Sequence, residues 1–149
     1  MSTKKKGSFD SPIKFSGSWI DVVGKITVTW EVTETKDYAT STKVEAAMKE
    51  FLKKKLKTLE DAAKDLDSKI NDAHEKRKEQ STTEGQAVYM KVAADLQQKH
   101  GPQLESFVNG TVADGNKFAL KWCKDELAKD KKAKGLTAKA VFKGSVDVK

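Results

Sequence analysis

The side chains with the greatest capacity for covalent or metal chemistry are two histidines and one cysteine. His74 and His100 lie 26 positions apart, and neither has a second ligand three or four residues away in a known zinc pattern. Cys123 lies in an amphipathic stretch, where a buried and unreactive thiol is the usual state. The nine glycines never cluster into a phosphate-binding loop. We therefore expect no catalytic residues, no metal site, no cofactor and no small-molecule substrate.

The distribution of lysines suggests a different chemistry. Residues 117–149 contain ten lysines against four acidic residues, and the whole chain carries a net charge of +7. Such a surface attracts phosphate groups whatever the base sequence. Arg77 is the only arginine, and because arginine is the preferred reader of base edges, sequence-specific DNA recognition is disfavoured. The candidate phosphate contacts are Lys129, Lys131, Lys132, Lys134 and Lys139.

The first of the elements that position these residues is an unusually long helix. From Thr42 to Gln80 no glycine or proline interrupts a stretch rich in Ala, Leu, Lys and Glu, which are strong helix formers. Thr42 and Glu45 have the spacing of a capping box, which predicts the start of the helix. At ~1.5 Å per residue this helix is roughly 58 Å long, so it needs support along its length.

Apolar residues of this helix follow alternating spacings of four and three, the pattern of a helix that faces one or two partner helices. In a parallel homodimer, Lys55 of one chain would face Glu60 of the other. The alternative needs no second chain, because the helix folds back against a later one. The small side chains of Ala63 and Ala73 favour this intrachain hairpin. The predicted interaction seam comprises Leu52, Leu56, Leu59, Ala63, Leu66 and Ile70.

Strand patterns lie on both sides of the helical region. Apolar residues over 13–23 and the strict alternation of apolar and polar side chains within 25–34 predict an antiparallel pair of strands, with Trp19 and Trp30 anchoring the sheet core. Residues 1–11, which include a run of three lysines, have the character of a flexible basic tail. Short apolar runs near the C-terminus predict closing strands.

Further helical segments are predicted between the long helix and these closing strands. A second capping-box pattern at Ser81 starts a helix whose apolar face includes Val88 and Val92. The sequence His100-Gly101-Pro102 predicts the end of that helix. Turn dipeptides predict a loop or broken helix over residues 109–116, and a lysine-rich helix follows it.

Together these elements indicate an α+β fold. A small antiparallel sheet, formed by N-terminal and C-terminal strands, packs on helices, and the long helix over about residues 42–80 forms a helical-hairpin or coiled-coil arm. Residues 12–149 make a single domain whose helical arm spans 42–100. The single cysteine excludes an intrachain disulfide. No apolar run approaches the ~18 residues of a membrane-spanning helix.

The composition favours interaction over catalysis. Only 37% of the residues are hydrophobic and 34% are charged, which predicts a small core and a large polar surface. The N-terminus lacks the apolar stretch of a secretory signal, so we expect the protein in the cytoplasm or within an intracellular particle. We expect a non-catalytic structural or interaction protein that joins a larger assembly through a protein partner or through self-association. The alternative is a sequence-nonspecific nucleic-acid-binding protein that uses the C-terminal lysine patch.

Overall fold

The computed structural model describes all 149 residues of the chain. The elements in chain order are β1 (Thr3–Ser16), β2 (Asp21–Glu34), α1 (Thr40–Lys78), α2 (Thr83–Lys129), a 3₁₀ turn (Lys131–Ala133) and β3 (Ala138–Val148). The strands form one antiparallel sheet in the order β1-β2-β3, and the two helices pack on one face of it around a single core. This α+β architecture, with a sheet built from both chain termini, confirms the predicted fold class.

The N-terminal lysine run belongs to the sheet, so the predicted flexible tail over residues 1–11 is wrong. β1 pairs with β2 along its whole length, from Thr3 onwards. The run has no apolar alternation that would predict a strand from sequence. Backbone pairing with β2 and ion pairs hold it in place. Lys5 lies 2.6 Å from Glu34, and Lys6 lies 3.0 Å from Glu31.

The two edges of the sheet differ. Asp21 and Lys149 exchange both backbone hydrogen bonds, so alternate residues of β2 bond to β3 and the others bond to β1. It follows that the even-numbered residues of β1 direct their backbone groups towards the free edge. On β3, by contrast, α2 engages the edge at Phe142, where the side-chain oxygen of Asn116 accepts the backbone N–H at 2.7 Å. The free edge of β1 is occupied by Pro12 and by the lysines Lys4, Lys6 and Lys14.

The start of α1 is stabilised from the sheet. The helix begins at Thr40, and the predicted capping box does not form. Instead the carboxylate of Glu34, at the end of β2, accepts the N–H and the hydroxyl of Ser41 at 3.1 and 2.8 Å. Glu45 turns towards the sheet, where its carboxylate accepts the indole N–H of Trp30 at 3.1 Å.

The second helix, α2, is one continuous element of 47 residues, and four sequence predictions are wrong here. Thr82, rather than Ser81, caps the helix by accepting the N–H of Gly85 at 3.0 Å. The sequence His100-Gly101-Pro102 does not end the helix, and residues 109–116 are helical. The segment predicted as a separate lysine-rich helix is the C-terminal part of the same element.

Small side chains explain why α2 continues through its turn-like dipeptides. A Cβ atom at Gly115 would lie only 2.6 Å from the ring of Phe142, so glycine allows the helix to lie close on β3. Gly101 is buried beside the end of the same strand. Pro102 lacks an N–H, and the carbonyl it leaves without a helical partner belongs to the exposed Gln98. Close packing and solvation therefore offset the local cost of these residues.

The seam of α1 is buried within the chain, as the intrachain alternative required. Five of its six residues are buried, whereas Leu56 is half-buried. Leu66 faces Leu104 and Phe107 of α2 across a shared pocket, while Leu59 faces Ile13 of β1. The same seam therefore serves both the partner helix and the sheet.

Candidate interaction surfaces

The helical hairpin extends past the sheet at one end only. The sheet ends near Lys149, and there Gly101 of α2 lies beside Val148. Residues 75–97, which we call the tip, therefore lie beyond the strands, and the α2 part of the tip is roughly 22 Å long at ~1.5 Å per residue. The projecting part is shorter than the predicted arm over 42–100, because α1 packs on the sheet along most of its length.

The tip exposes apolar side chains on α2. The exposed fractions are 59% for Val88, 52% for Met90 and 41% for Val92. Sequence analysis placed Val88 and Val92 on the apolar face of this helix, but the structure places the half-buried Tyr89 and the buried Ala93 on the line that faces α1. Val88 and Val92 are one helical turn apart and lie on the same side of α2. Met90 lies on the other side of the line that faces α1, as do Ala87 and Ala94. We call the exposed side chains of Val88 and Val92 the tip patch.

Polar and aromatic contacts fasten the β1–β2 turn to α1 next to the tip. The carboxylate of Asp67 accepts the backbone N–H groups of Ser18, Trp19 and Ile20 at 3.1, 2.8 and 3.0 Å. The Trp19 ring stacks on the ring of His74, with 3.7 Å between the ring centroids. Trp19 therefore does not anchor the sheet core, contrary to prediction, whereas Trp30 is buried in it.

The structure separates the three residues that we considered for catalysis or metal binding. Burial, followed by the charges of Arg77 and Lys78, lowers the pKa of His74 below its usual value. His100 pairs with Gln103 on the surface of α2. Cys123 is buried as expected, and burial raises the pKa of its thiol to about 11. No three His, Cys, Asp or Glu side chains are grouped so that they could hold a metal ion.

Charge is distributed unevenly along the molecule. Residues 67–100, which form the tip end, contain six basic and six acidic residues. The opposite end combines the start of β1, the β2–α1 connection and the α2–β3 connection. Its segments, 1–6, 31–43 and 125–139, contain ten lysines against six acidic residues. The tip is therefore electrically balanced, whereas the opposite end is basic.

The sheet face opposite the helices is uncovered and rich in lysine. The register sets Lys6, Glu31 and Lys139 in one cross-strand row, and the side chains of alternate residues share this face. Its acidic residues are Asp10, Asp21, Glu31 and Asp147. The lysines of this face, which we call the lysine face, are Lys4, Lys6, Lys14, Lys25, Lys139 and Lys143.

Glu31 neutralises part of the lysine face. Its carboxylate lies 3.0 Å from the ammonium of Lys6 and 3.0 Å from that of Lys139. Hydrogen bonds from Lys139 and then from Lys6 lower the pKa of Glu31 to about 2. The other four lysines of this face make no ion pair.

The predicted phosphate contacts lie in two places. Lys139 belongs to the lysine face. The other four lie where α2 ends and the chain returns to the sheet, all of them exposed; these are Lys129, Lys131, Lys132 and Lys134. The lysines of β1 were missed as part of a defined surface because their segment was read as a tail. The signal that could have found these lysines is the alternation of β2. Pairing residues 3–16 with that strand assigns each lysine of β1 to one face of the sheet.

Comparisons with protein-family models, curated proteins and solved structures found no match. Neither α1 nor α2, despite their length, has a stretch apolar enough to cross a membrane.

Proposed function

We propose that this chain is a non-catalytic interaction protein, a component of a larger assembly in the cytoplasm or in an intracellular particle. Its contact surface is the tip patch, and the partner is the tip patch of a second copy. The observation that carries this proposal is the exposure of Val88 and Val92, one turn apart on one side of α2, at the end of the molecule where charges balance. Apolar patches exposed together commonly mark interaction sites.

The other surfaces are less suited to joining two copies. The seam of α1 is already buried within the chain. The free edge of β1 presents Pro12 and lysines, which oppose edge-to-edge pairing of strands. The edge of β3 is covered where Asn116 bonds to Phe142.

Charge favours the tip as the place where two copies meet. The whole chain carries a net charge of +7, so two copies repel each other in most orientations. Residues 67–100, with equal numbers of basic and acidic side chains, add no net repulsion. Two basic ends would repel each other, because each carries an excess of lysines.

The size of the tip patch sets the strength of the contact. Its apolar area is a few hundred Å² at most, the range of the largest patch on an ordinary monomer. A stable interface buries about 800 Å² per partner, so an isolated pair is weak. Many copies held in one assembly bind more tightly through effective concentration, which suits a repeated building unit better than a lone dimer.

Sedimentation equilibrium over a wide range of protein concentration tests this proposal. We expect reversible self-association that strengthens or stays constant as salt is raised, because the contact is apolar and uncharged. The double change Val88→Glu and Val92→Glu should abolish it, since four carboxylates would meet across the contact. Both positions are exposed, and glutamate is the better helix former, so the fold should persist.

A matched control lies on the same helix. Leu120 is 78% exposed but lies far from the tip, and Leu120→Glu should leave self-association unchanged. A strictly monomeric protein at the highest concentrations would refute the proposal. So would equal loss of association in the Leu120→Glu variant, because the tip patch would then not be the contact.

A further inference from the structure

We propose that the lysine face binds the phosphate backbone of a nucleic acid without regard to sequence. This surface is distinct from the tip patch, and the inference does not depend on self-association. It also differs from the predicted C-terminal lysine patch, because four of its six lysines come from β1 and β2.

The arrangement of the lysines matches an extended polyanion. By the register of the sheet, Lys4 and Lys14 mark the two ends of the lysine face, ten residues apart. At ~3.3 Å per residue this distance is roughly 33 Å. Side chains on one face of the sheet repeat every second residue, so successive cross-strand rows are ~6.6 Å apart. Lys25 lies one row and Lys143 two rows from the row of Lys14. Phosphates follow one another at ~3.4 Å along the axis of each strand of a duplex, so the lysine face spans roughly ten base pairs, about one helical turn.

The free charge on the face favours an anionic occupant. Lys4, Lys14, Lys25 and Lys143 have no acidic partner within ion-pair distance in the structure, and the whole face carries six lysines against four acids. Neutralising a phosphate releases condensed counterions, which is the main source of affinity in binding of this type.

The face has no means of reading bases. It presents no arginine and no aromatic side chain, the groups that recognise or stack on bases. Its remaining side chains are largely hydroxyl groups, such as those of Ser8 and Thr29, which suit contact with phosphate and sugar. Binding is therefore expected to depend on salt and to be indifferent to sequence.

Fluorescence anisotropy with a labelled random duplex of about 24 base pairs tests the proposal at salt concentrations from about 50 to about 200 mM. The logarithm of the association constant should fall linearly with the logarithm of salt concentration. The slope should lie between about −3.5 and −5.5, which corresponds to four to six phosphates neutralised at ~0.9 each. Two duplexes of unrelated sequence should give the same slope.

Three matched charge removals locate the contact. Replacing Lys14, Lys25 and Lys143 by glutamine should reduce the magnitude of the slope by about 2.7, since three phosphate contacts are lost. The same number of charges is removed from the exposed surface of α2 by replacing Lys117, Lys121 and Lys124, and this variant should keep the original slope. Replacing Lys129, Lys131, Lys132 and Lys134 tests the lysines predicted from sequence.

A change of opposite sign excludes unfolding as the cause. Glu31→Gln frees Lys6 and Lys139 from their shared carboxylate, so affinity should rise and the slope should steepen by up to about 1.8. A destabilised protein would bind less tightly, not more.

Four results would overturn the inference. One is the absence of duplex binding at the lowest salt concentration. Another is an equal loss in the α2 lysine variant, which would show that net charge alone is responsible. A larger loss in the variant of lysines 129–134 would move the site to the end of α2, and weaker binding by Glu31→Gln would remove the lysine face from the contact.

Discussion

Single carboxylates make the decisive local connections in this protein. Asp67 holds three successive N–H groups of the β1–β2 turn, and Glu34 holds both the start of α1 and the ammonium of Lys5. The ion pair with Lys5, ahead of the bonds from Ser41, lowers the pKa of Glu34. Each of these residues connects a strand or its turn to a helix, so their role is to position elements rather than to react.

The stack of Trp19 on His74 predicts a pH dependence of stability. The pKa of His74 is lowered from 6.5 by burial and by nearby positive charge, so the native state favours the neutral ring. Protonation therefore favours the unfolded state, and stability should be greatest above pH 6.5 and decrease as the pH falls through the native pKa. Urea unfolding followed by tryptophan fluorescence, at about pH 7.5 and about pH 5.5, measures the change.

The control for this prediction is His74→Gln, which cannot titrate. It should lower stability at both pH values, because the stack is lost, but it should remove the step between them. The carboxyl groups with lowered pKa, such as Glu31, titrate below 4.5, so they do not contribute in this window. An unchanged pH dependence in the variant would assign the step to another group.

At the scale of elements, α2 depends on two glycines in different ways. Gly115 lies against the ring of Phe142, whereas a Cβ atom at Gly110 would meet nothing within 4 Å. The first glycine therefore allows the helix to approach the sheet, and the second only adds backbone flexibility. Each is in the same helix, so one serves as the control for the other.

The pair of substitutions should have opposite effects on the free energy of unfolding. Gly115→Ala should destabilise the protein by ~1–3 kcal/mol, because the added methyl group overpacks the contact with Phe142. Gly110→Ala should stabilise it by ~0.5–1 kcal/mol, because alanine is the better helix former. Chemical denaturation of the two variants decides the matter, and destabilisation by both would contradict a continuous α2.

Leucine-to-alanine substitutions in the seam of α1 should lower the free energy of unfolding by amounts that follow the burial of each leucine. Leu66→Ala should lower the free energy of unfolding by ~2–5 kcal/mol, the usual cost of truncating a buried leucine. Leu56→Ala should cost less, because Leu56 is only half-buried at the groove between α1 and β1. Equal costs in urea unfolding, or a loss below ~0.5 kcal/mol at Leu66, would show that the seam is not part of the core.

The whole molecule has two unlike ends and two unlike faces. The tip is balanced in charge and exposes apolar side chains, whereas the opposite end is basic. One face of the sheet is covered by helices and the other carries the lysine face. These surfaces do not overlap, so the proposed self-association and the proposed phosphate binding use different parts of the chain.

This separation predicts that the two activities can be removed independently. Val88→Glu with Val92→Glu should abolish self-association and leave the salt slope for duplex DNA nearly unchanged, because the lysine face is intact. Glutamine at Lys14, Lys25 and Lys143 should do the reverse. Measuring sedimentation and anisotropy on both variants checks this, and loss of both activities in either variant would show that the surfaces act as one.

The sequence by itself determined the elements whose signal is local. The stretch from Thr42 to Gln80 lacks helix breakers and carries a regular apolar spacing, and the helix found at Thr40–Lys78 follows it closely. The strict alternation over 25–34 likewise specifies most of β2 and its buried face. The predicted strand over 13–23 is wrong beyond Ser16, because the chain turns at 17–20 and β2 begins at Asp21. Side-chain periodicity and helix propensity act within a few residues, so they can be read without knowledge of the fold.

The tertiary structure decided the features that depend on contacts between distant residues. From sequence alone, the N-terminal lysine run was predicted to be a tail. Pairing with β2 makes it a strand, and this pairing creates the lysine face. Packing on β3 allows α2 to continue through Gly115, where the ring of Phe142 leaves no room for a Cβ atom, and through Gly101, which is buried beside Val148. A local preference of ~1 kcal/mol per glycine is smaller than the gain from burying a helix face against a sheet. The same packing leaves Val88 and Val92 beyond the end of the sheet, where nothing covers them.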